Sequence, residues 1–153
     1  VYGVWLIIIK PQSSAWLVWF QAMVGQFLGL SGLFIAWKNA PLAGLVLAVW
    51  GICYVSARHF FTAFDESHSS LYAHTWGYFA AALMWVLGHW LLFYGVLAQP
   101  TLLLSVIALG SSALYFLEET DRLSLLLRRQ FVFIMAAIII VILVFSGWGD
   151  KAL

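Results

Sequence analysis

The sequence predicts an all-α protein, a polytopic transmembrane helix bundle of about five spans. Three observations carry that expectation. Hydrophobic residues make up 65% of the chain and charged residues 8%, where an ordinary soluble domain carries about 25% charge. Mean hydropathy is +1.01. The apolar residues fall in long stretches divided by short polar breaks, and Pro11, Pro41 and Pro100 all sit at those breaks. So much apolar surface on 153 residues has to face lipid, the solvent that accepts it.

Taken in order, residues 1–9 read as the end of an apolar helix, which suggests a truncated or processed start. Lys10 to Ser14 form a polar break, after which residues 15–37 are long enough to cross about 30 Å of hydrocarbon at 1.5 Å per residue. Lys38-Asn39-Ala40-Pro41 punctuates, Pro41 being suited to a first helical turn. The second span is expected near 41–61 and the third near 70–98, with Ser69 or Ser70 as its N-cap. Gln99-Pro100-Thr101 turns the chain into a fourth span near 101–117. Residues 118–129 are a charged connector whose Leu125-Leu126-Leu127 centre suits an interfacial helix, and the fifth span is expected near 130–147. All of this belongs to a single transmembrane domain, 1–153.

Orientation follows from Lys and Arg. Lys10, Arg58, Arg122, Arg128 and Arg129 fall on one side, and Lys38 and Lys151 on the other. The loop 62–70 and the connector 118–129 are therefore expected in the cytoplasm, with the C-terminus opposite. Trp16, Trp19, Trp37, Trp90 and Trp148 lie near span ends, as an aromatic belt would. Gly25 and Gly29 make a Gly-x-x-x-Gly pair that lets helix backbones approach closely.

Several functions find no footing. A net charge of +1 gives no global field, and no basic patch interleaved with aromatics lies outside the spans, so nucleic acid is not an expected partner. There is no Gly-rich phosphate loop and no Gly-x-Ser-x-Gly elbow. Cys53 has no second cysteine and no adjacent base in the sequence.

The ionisable residues leave more open. His59, Asp65, Glu66, His68 and His74 crowd one stretch, and the topology puts Glu118, Glu119 and Asp121 on the same side. Such a set can bind a metal through His59, His68, Asp65 and Glu66, relay protons, or simply cap helices and pair with arginines. His74 and His89 share the third span, about 60° apart in azimuth and about 22 Å apart along the axis. His89, expected inside the hydrocarbon, is a candidate midplane site with Gln21 and Gln26, or else a neutral histidine bonded to a neighbouring helix. Histidines at one depth on facing helices would hold a haem. His59 with His74 fits on one side, whereas His89 has no histidine partner at its depth. A chlorin needs one axial ligand, so His59, His74 and His89 all remain candidates, though no cofactor is favoured.

Arg58-His-Phe-Phe-Thr-Ala-Phe-Asp65, Leu71-Tyr-Ala-His74 and Gly110-Ser-Ser-Ala-Leu-Tyr115-Phe-Leu together resemble segments of the low temperature requirement A family. Thr75-Trp76 stands where that family has Leu-Pro, and Lys10-Pro-Gln-Ser13 where it has Leu-Gly-Glu-Ser. The resemblance implies a polytopic membrane protein matching the family's C-terminal part, and points to Asp65 and His74.

The reading the residues support first is a non-enzymatic integral membrane protein, an accessory or structural subunit of a larger membrane complex. Short loops leave no room for a soluble active site, and lipid and other membrane subunits are the expected partners. A small proton-coupled transporter with a midplane His/Gln site is one alternative. A haem-, chlorin- or metal-binding membrane subunit is another.

Overall fold

A computed structural model describes residues 15–37, 40–89, 93–94 and 97–145. The protein is an all-α helical bundle of five helices: α1 (Ala15–Ala36), α2 (Leu42–Ala63), α3 (Ser69–Gly88), α4 (Gln99–Glu119) and α5 (Leu125–Phe145). Between α3 and α4 lies one antiparallel hairpin, β1 (Phe93–Tyr94) with β2 (Leu97–Ala98), in which Phe93 faces Ala98 and Tyr94 faces Leu97. α1, α2, α4 and α5 are each long and apolar enough to cross a membrane, which makes this a membrane protein. α3 carries Ser69, Ser70, His74 and Thr75 in its first two turns.

Each inner helix buries a stripe at helical spacing. On α1 it is Trp19, Ala22, Gln26, Leu30 and Phe34; on α2 Leu45, Val49, Cys53, Ala57 and Phe60; on α3 Ala73, Gly77, Ala80 and Met84. Ala73, Gly77 and Ala80 are small, so α3 lies closely on α2, and these two helices form the most extensive contact in the bundle. At Gly77 a Cβ would stand 3.0 Å from Trp50 Nε1 and 3.4 Å from the Trp50 carbonyl oxygen. At Gly29 it would stand 3.0 Å from Ile52 Cγ2, so this member of the Gly25/Gly29 pair marks the approach of α1 to α2.

The helices are joined in the spatial order α3, α2, α1, α4, α5, with α3 and α4 meeting only sparsely. Leu30, Phe34, Leu45, Val49, Met84, Ala98 and Leu104 form the core toward the hairpin end. Trp19, Ala22 and Phe60 form a second cluster toward the other end. There α2 and α4 meet through aromatic rings, Tyr115 standing 5.5–5.6 Å from Phe60, Phe61 and Phe64.

Several boundaries differ from expectation. α3 ends at Gly88 rather than near residue 98, and the hairpin β1–β2 falls within the stretch expected to be helical. Gly88 sits directly against Leu42, which leaves no room for a side chain there. The backbone of α3 is preceded by His68 as N-cap, with no side-chain cap bond from Ser69 or Ser70. Leu125-Leu126-Leu127 is no interfacial helix but the first turn of α5, started by Ser124, whose Oγ accepts the Leu127 N–H at 3.1 Å. Residues 1–14, 38–39, 90–92, 95–96 and 146–153, and with them Lys10, Lys38, Trp90, Trp148 and Lys151, lie outside the described residues.

α2 and α4 end alike. Asp65 (φ 51°) and Asp121 (φ 52°) take the left-handed conformation after the last turn. Glu66 N–H then reaches back to the Phe61 carbonyl at 3.3 Å, and Arg122 N–H to the Leu117 carbonyl at 3.0 Å. This is the hydrogen-bond pattern of a Schellman stop, in which aspartate tolerates a backbone that most side chains avoid.

Candidate functional site

α1 and α2 form the floor, and α3 and α4 the walls, of a cavity of about 440 Å³. Gln26, Ala57, Phe60, Ala108 and Ser112 lie buried at its base. Tyr72, Thr75 and Phe79 of α3 and Ser111 of α4 are its exposed rim. The cavity therefore opens sideways between α3 and α4, where the two helices meet only sparsely. It exists because α2 and α4 are held apart by the rings of Phe60, Phe61, Phe64 and Tyr115, and because Ala57 and Ala108 offer little volume below them.

The polar groups on its base bond one another. Gln26 Nε2 donates to the Leu104 carbonyl at 3.3 Å, and Gln26 Oε1 accepts from Trp76 Nε1 at 3.1 Å, so one amide links α1, α3 and α4. Trp19 Nε1 donates to Ser112 Oγ at 2.8 Å, and Ser112 Oγ–H reaches the Leu109 carbonyl at 3.2 Å. At the end nearest the α2–α3 turn, the Tyr115 hydroxyl donates to Glu66 Oε2 at 2.8 Å. A polar side chain at such depth gains from a fixed partner, because lipid offers none.

Of the residues singled out in the sequence, Gln26 is thus part of this cavity. Gln21, one turn away on α1, is buried, and its Nε2 meets no hydrogen-bond partner among the described residues. His89 joins neither. It caps the C-terminal end of α3, exposed, with Nδ1 2.7 Å from the Trp85 carbonyl and its ring 5.5 Å from the Trp85 ring. Trp76, the partner of Gln26, lies 13 residues earlier on α3, about 20 Å along the axis. His89 is an end group and not a midplane one, because the third helix stops ten residues before the expected boundary.

His74 faces α2. Its Nδ1 donates to the Ser70 carbonyl at 2.7 Å, and its ring lies 4.6 Å from Tyr54 and 6.1 Å from Trp50. Arg58 Nη1 donates to the Tyr54 hydroxyl at 3.1 Å. His59 follows Tyr54 by five positions on α2, about 140° around the helix, so the two histidines expected to share a haem do not share a face of α2. His68 is exposed, with Nδ1 2.9 Å from Ser67 Oγ, and Asp65 serves the helix stop. Among the described residues no three His, Cys, Asp or Glu side chains gather so as to hold a metal ion, and His59, His68, Asp65 and Glu66 do not form such a group.

Trp19 is a further correction. It is buried and bonded to Ser112, so it belongs to the bundle interior and not to an interfacial belt, whereas Trp16 and Trp37 are exposed. Trp76, Ser112 and Tyr115 carry the cavity's polar bonds, and sequence reasoning did not select them. The signal was present in part: Ser111 and Ser112 interrupt an apolar span, and a hydroxyl there calls for a partner. No protein-family model, curated protein or solved structure matches the chain.

Proposed function

We propose that the chain is a multi-pass integral membrane protein, and that it works as a non-enzymatic accessory or structural subunit of a larger membrane assembly. One observation carries this reading. Among the described residues α5 packs chiefly on α4, buries Ile142, and turns Phe133, Ile140, Val141 and Val144 outward. A helix that the described residues cover so sparsely offers an apolar face to lipid and to the helices of other subunits. The interior supports the same reading, since Gln26, Trp76, Trp19 and Ser112 are spent on one another across helices, as structural bonds are.

A proton-coupled carrier built on Gln21, Gln26 and His89 is less well supported, given the 20 Å that separates His89 from the level of Gln26 (about that by helical rise). A bis-histidine haem between His59 and His74 is less well supported, since His59 lies about 140° around α2 from Tyr54, against which His74 packs. Among the described residues the Lys and Arg are Arg58, Arg122, Arg128 and Arg129, and all lie at the end where Glu66 meets Tyr115. By the positive-inside rule this end, with loop 62–70 and connector 118–129, is the cytoplasmic one, and the C-terminus lies opposite.

The test is purification in mild detergent followed by mass spectrometry of what accompanies the chain, with absorption and metal analysis of the same sample. The expected result is stoichiometric membrane partners that are lost when Ile140→Trp thickens the outer face of α5 while keeping it apolar. A solitary chain, or a stoichiometric Soret band or metal, overturns the reading.

A further inference from the structure

The cavity between α3 and α4 has the size of a small-molecule site, the usual range being about 300–1,000 Å³. Its body is hydrocarbon-like: Ala57, Phe60, Phe79 and Ala108 supply no polar side-chain atom, and the Met23 sulfur is taken by the Ser112 hydroxyl at 3.4 Å. Along α4 it runs from Ala108 to Tyr115, about 10 Å, and along α3 from Tyr72 to Phe79, about 10 Å. It lies in the half of the bundle nearest the α2–α3 turn, with Tyr72 three residues and Tyr115 four residues from the helix ends. Its rim of Tyr72, Thr75, Phe79 and Ser111 is exposed on the side of the bundle, so what enters comes from the lipid phase.

The polar end of the cavity is built on one hydrogen bond. The Tyr115 hydroxyl proton is committed to Glu66 Oε2, which leaves the phenol oxygen and the remaining carboxylate lone pairs as acceptors. On the base, the indole N–H groups of Trp19 and Trp76 and the amide N–H of Gln26 are already donated. An occupant therefore meets, at the membrane-surface end, the Tyr115 phenol oxygen with the Glu66 carboxylate bonded behind it, beside the Tyr72 hydroxyl of the rim, and donors already used on the base; Arg58 at that end is bonded to Tyr54. A carboxylate or phosphate head brought there would face Glu66 with like charge.

We propose that this cavity binds one membrane amphiphile, with its hydrocarbon body between α3 and α4 and a hydrogen-bond-donating head, an amine or a hydroxyl, against Glu66 and Tyr115. The site is one of lipid recognition within a single leaflet. It is independent of α5 and of the subunit reading: α5 can lose every partner and the cavity remains.

The experiment uses photoreactive long-chain amine, alcohol and carboxylic acid probes of identical chain, added to the whole protein in phosphatidylcholine vesicles, with the labelled peptides mapped. The amine is expected to label α3 and α4 peptides at the cavity and to exceed the acid about tenfold, the size of one charge-assisted hydrogen bond. An alcohol that labels like the amine assigns a hydroxyl-type head, and one that labels like the acid assigns an ammonium. Glu66→Gln is expected to erase the amine's advantage. Ala108→Phe and Ala57→Leu, each filling the base from a different helix, are expected to abolish labelling while the protein elutes unchanged. Equal labelling by amine and acid, labelling that survives both filled variants, or labelling spread evenly onto α5 overturns the proposal.

Discussion

α1 and α5 are equally apolar to a reader of the sequence, and the bundle uses them in opposite ways. Of α1's most apolar window 39% is buried, and of α5's 6%. α1 touches α2 and α4 and bonds through Gln26 and Trp19 to two further helices' side chains and a carbonyl. Among the described residues α5 meets chiefly α4, most closely where Met135 lies over Gly110. The difference teaches that in lipid hydrophobicity places a helix in the membrane but does not say what it packs against. That decision falls to small residues and to a few polar side chains that need partners.

The sharpest way to break the comparison is to cut equally deep into both helices' surroundings. Leu30→Ala and Leu104→Ala, at fully buried positions, are each expected to cost about 2–4 kcal/mol of stability, whereas Ile140→Ala on α5 stays within about 0.5 kcal/mol. Reversible unfolding in detergent or bicelles reads both, and an equal loss would mean that α5 is packed in a way the described contacts do not contain. A smaller effect separates α5 from the rest. Gly110→Val sets a side chain where Met135 Sδ lies 2.5 Å from the Cβ position, and is expected to cost about 1–3 kcal/mol. Limited proteolysis should then cut first between α4 and α5, and a cut first elsewhere would show α5 to be better held than α4.

Gln26→Leu removes two hydrogen bonds and leaves the Trp76 indole N–H unpaired, an expected loss of about 1–2 kcal/mol seen in the same unfolding assay, with Trp76 fluorescence shifting as its partner goes. No loss would mean that the amide is paired as well by lipid or water. The smallest effect is at the helix stops. Asp65→Gly and Asp121→Gly are expected to be neutral or to stabilise by a few tenths of a kcal/mol, while Asp65→Val costs about 1 kcal/mol. A penalty at Gly would show that the carboxylate itself does work at that turn.

The helices were legible because apolar length is a one-dimensional property. The end of α3 was not, since the residues that follow Gly88 are as apolar as those before it, and His89 was expected inside the helix rather than at its C-cap for that reason. Gln26 was legible as a polar residue in a span, yet its role depended on Trp76, 50 positions away, and on the Leu104 carbonyl, which no side-chain pattern reports. The bond between Tyr115 and Glu66 spans 49 positions and decides the chemistry of one end of the cavity. Aromatic residues were the least legible. Trp19, Trp16 and Trp37 look alike in sequence, and only the neighbours on α4 separate the buried one from the exposed two.

The bond from Trp19 to Ser112 joins residues 93 positions apart. At about 5–20 residues per second of synthesis, α1 waits about 5–20 s in the membrane before the ribosome delivers the hydroxyl that completes it. Throughout that interval the Trp19 indole N–H faces lipid or whatever insertion machinery shelters it, whereas Gln26 gains Trp76 after 50 residues and the Leu104 carbonyl after 78. The growing bundle is at its most vulnerable before α4 emerges, and α5, arriving later, closes no part of that gap.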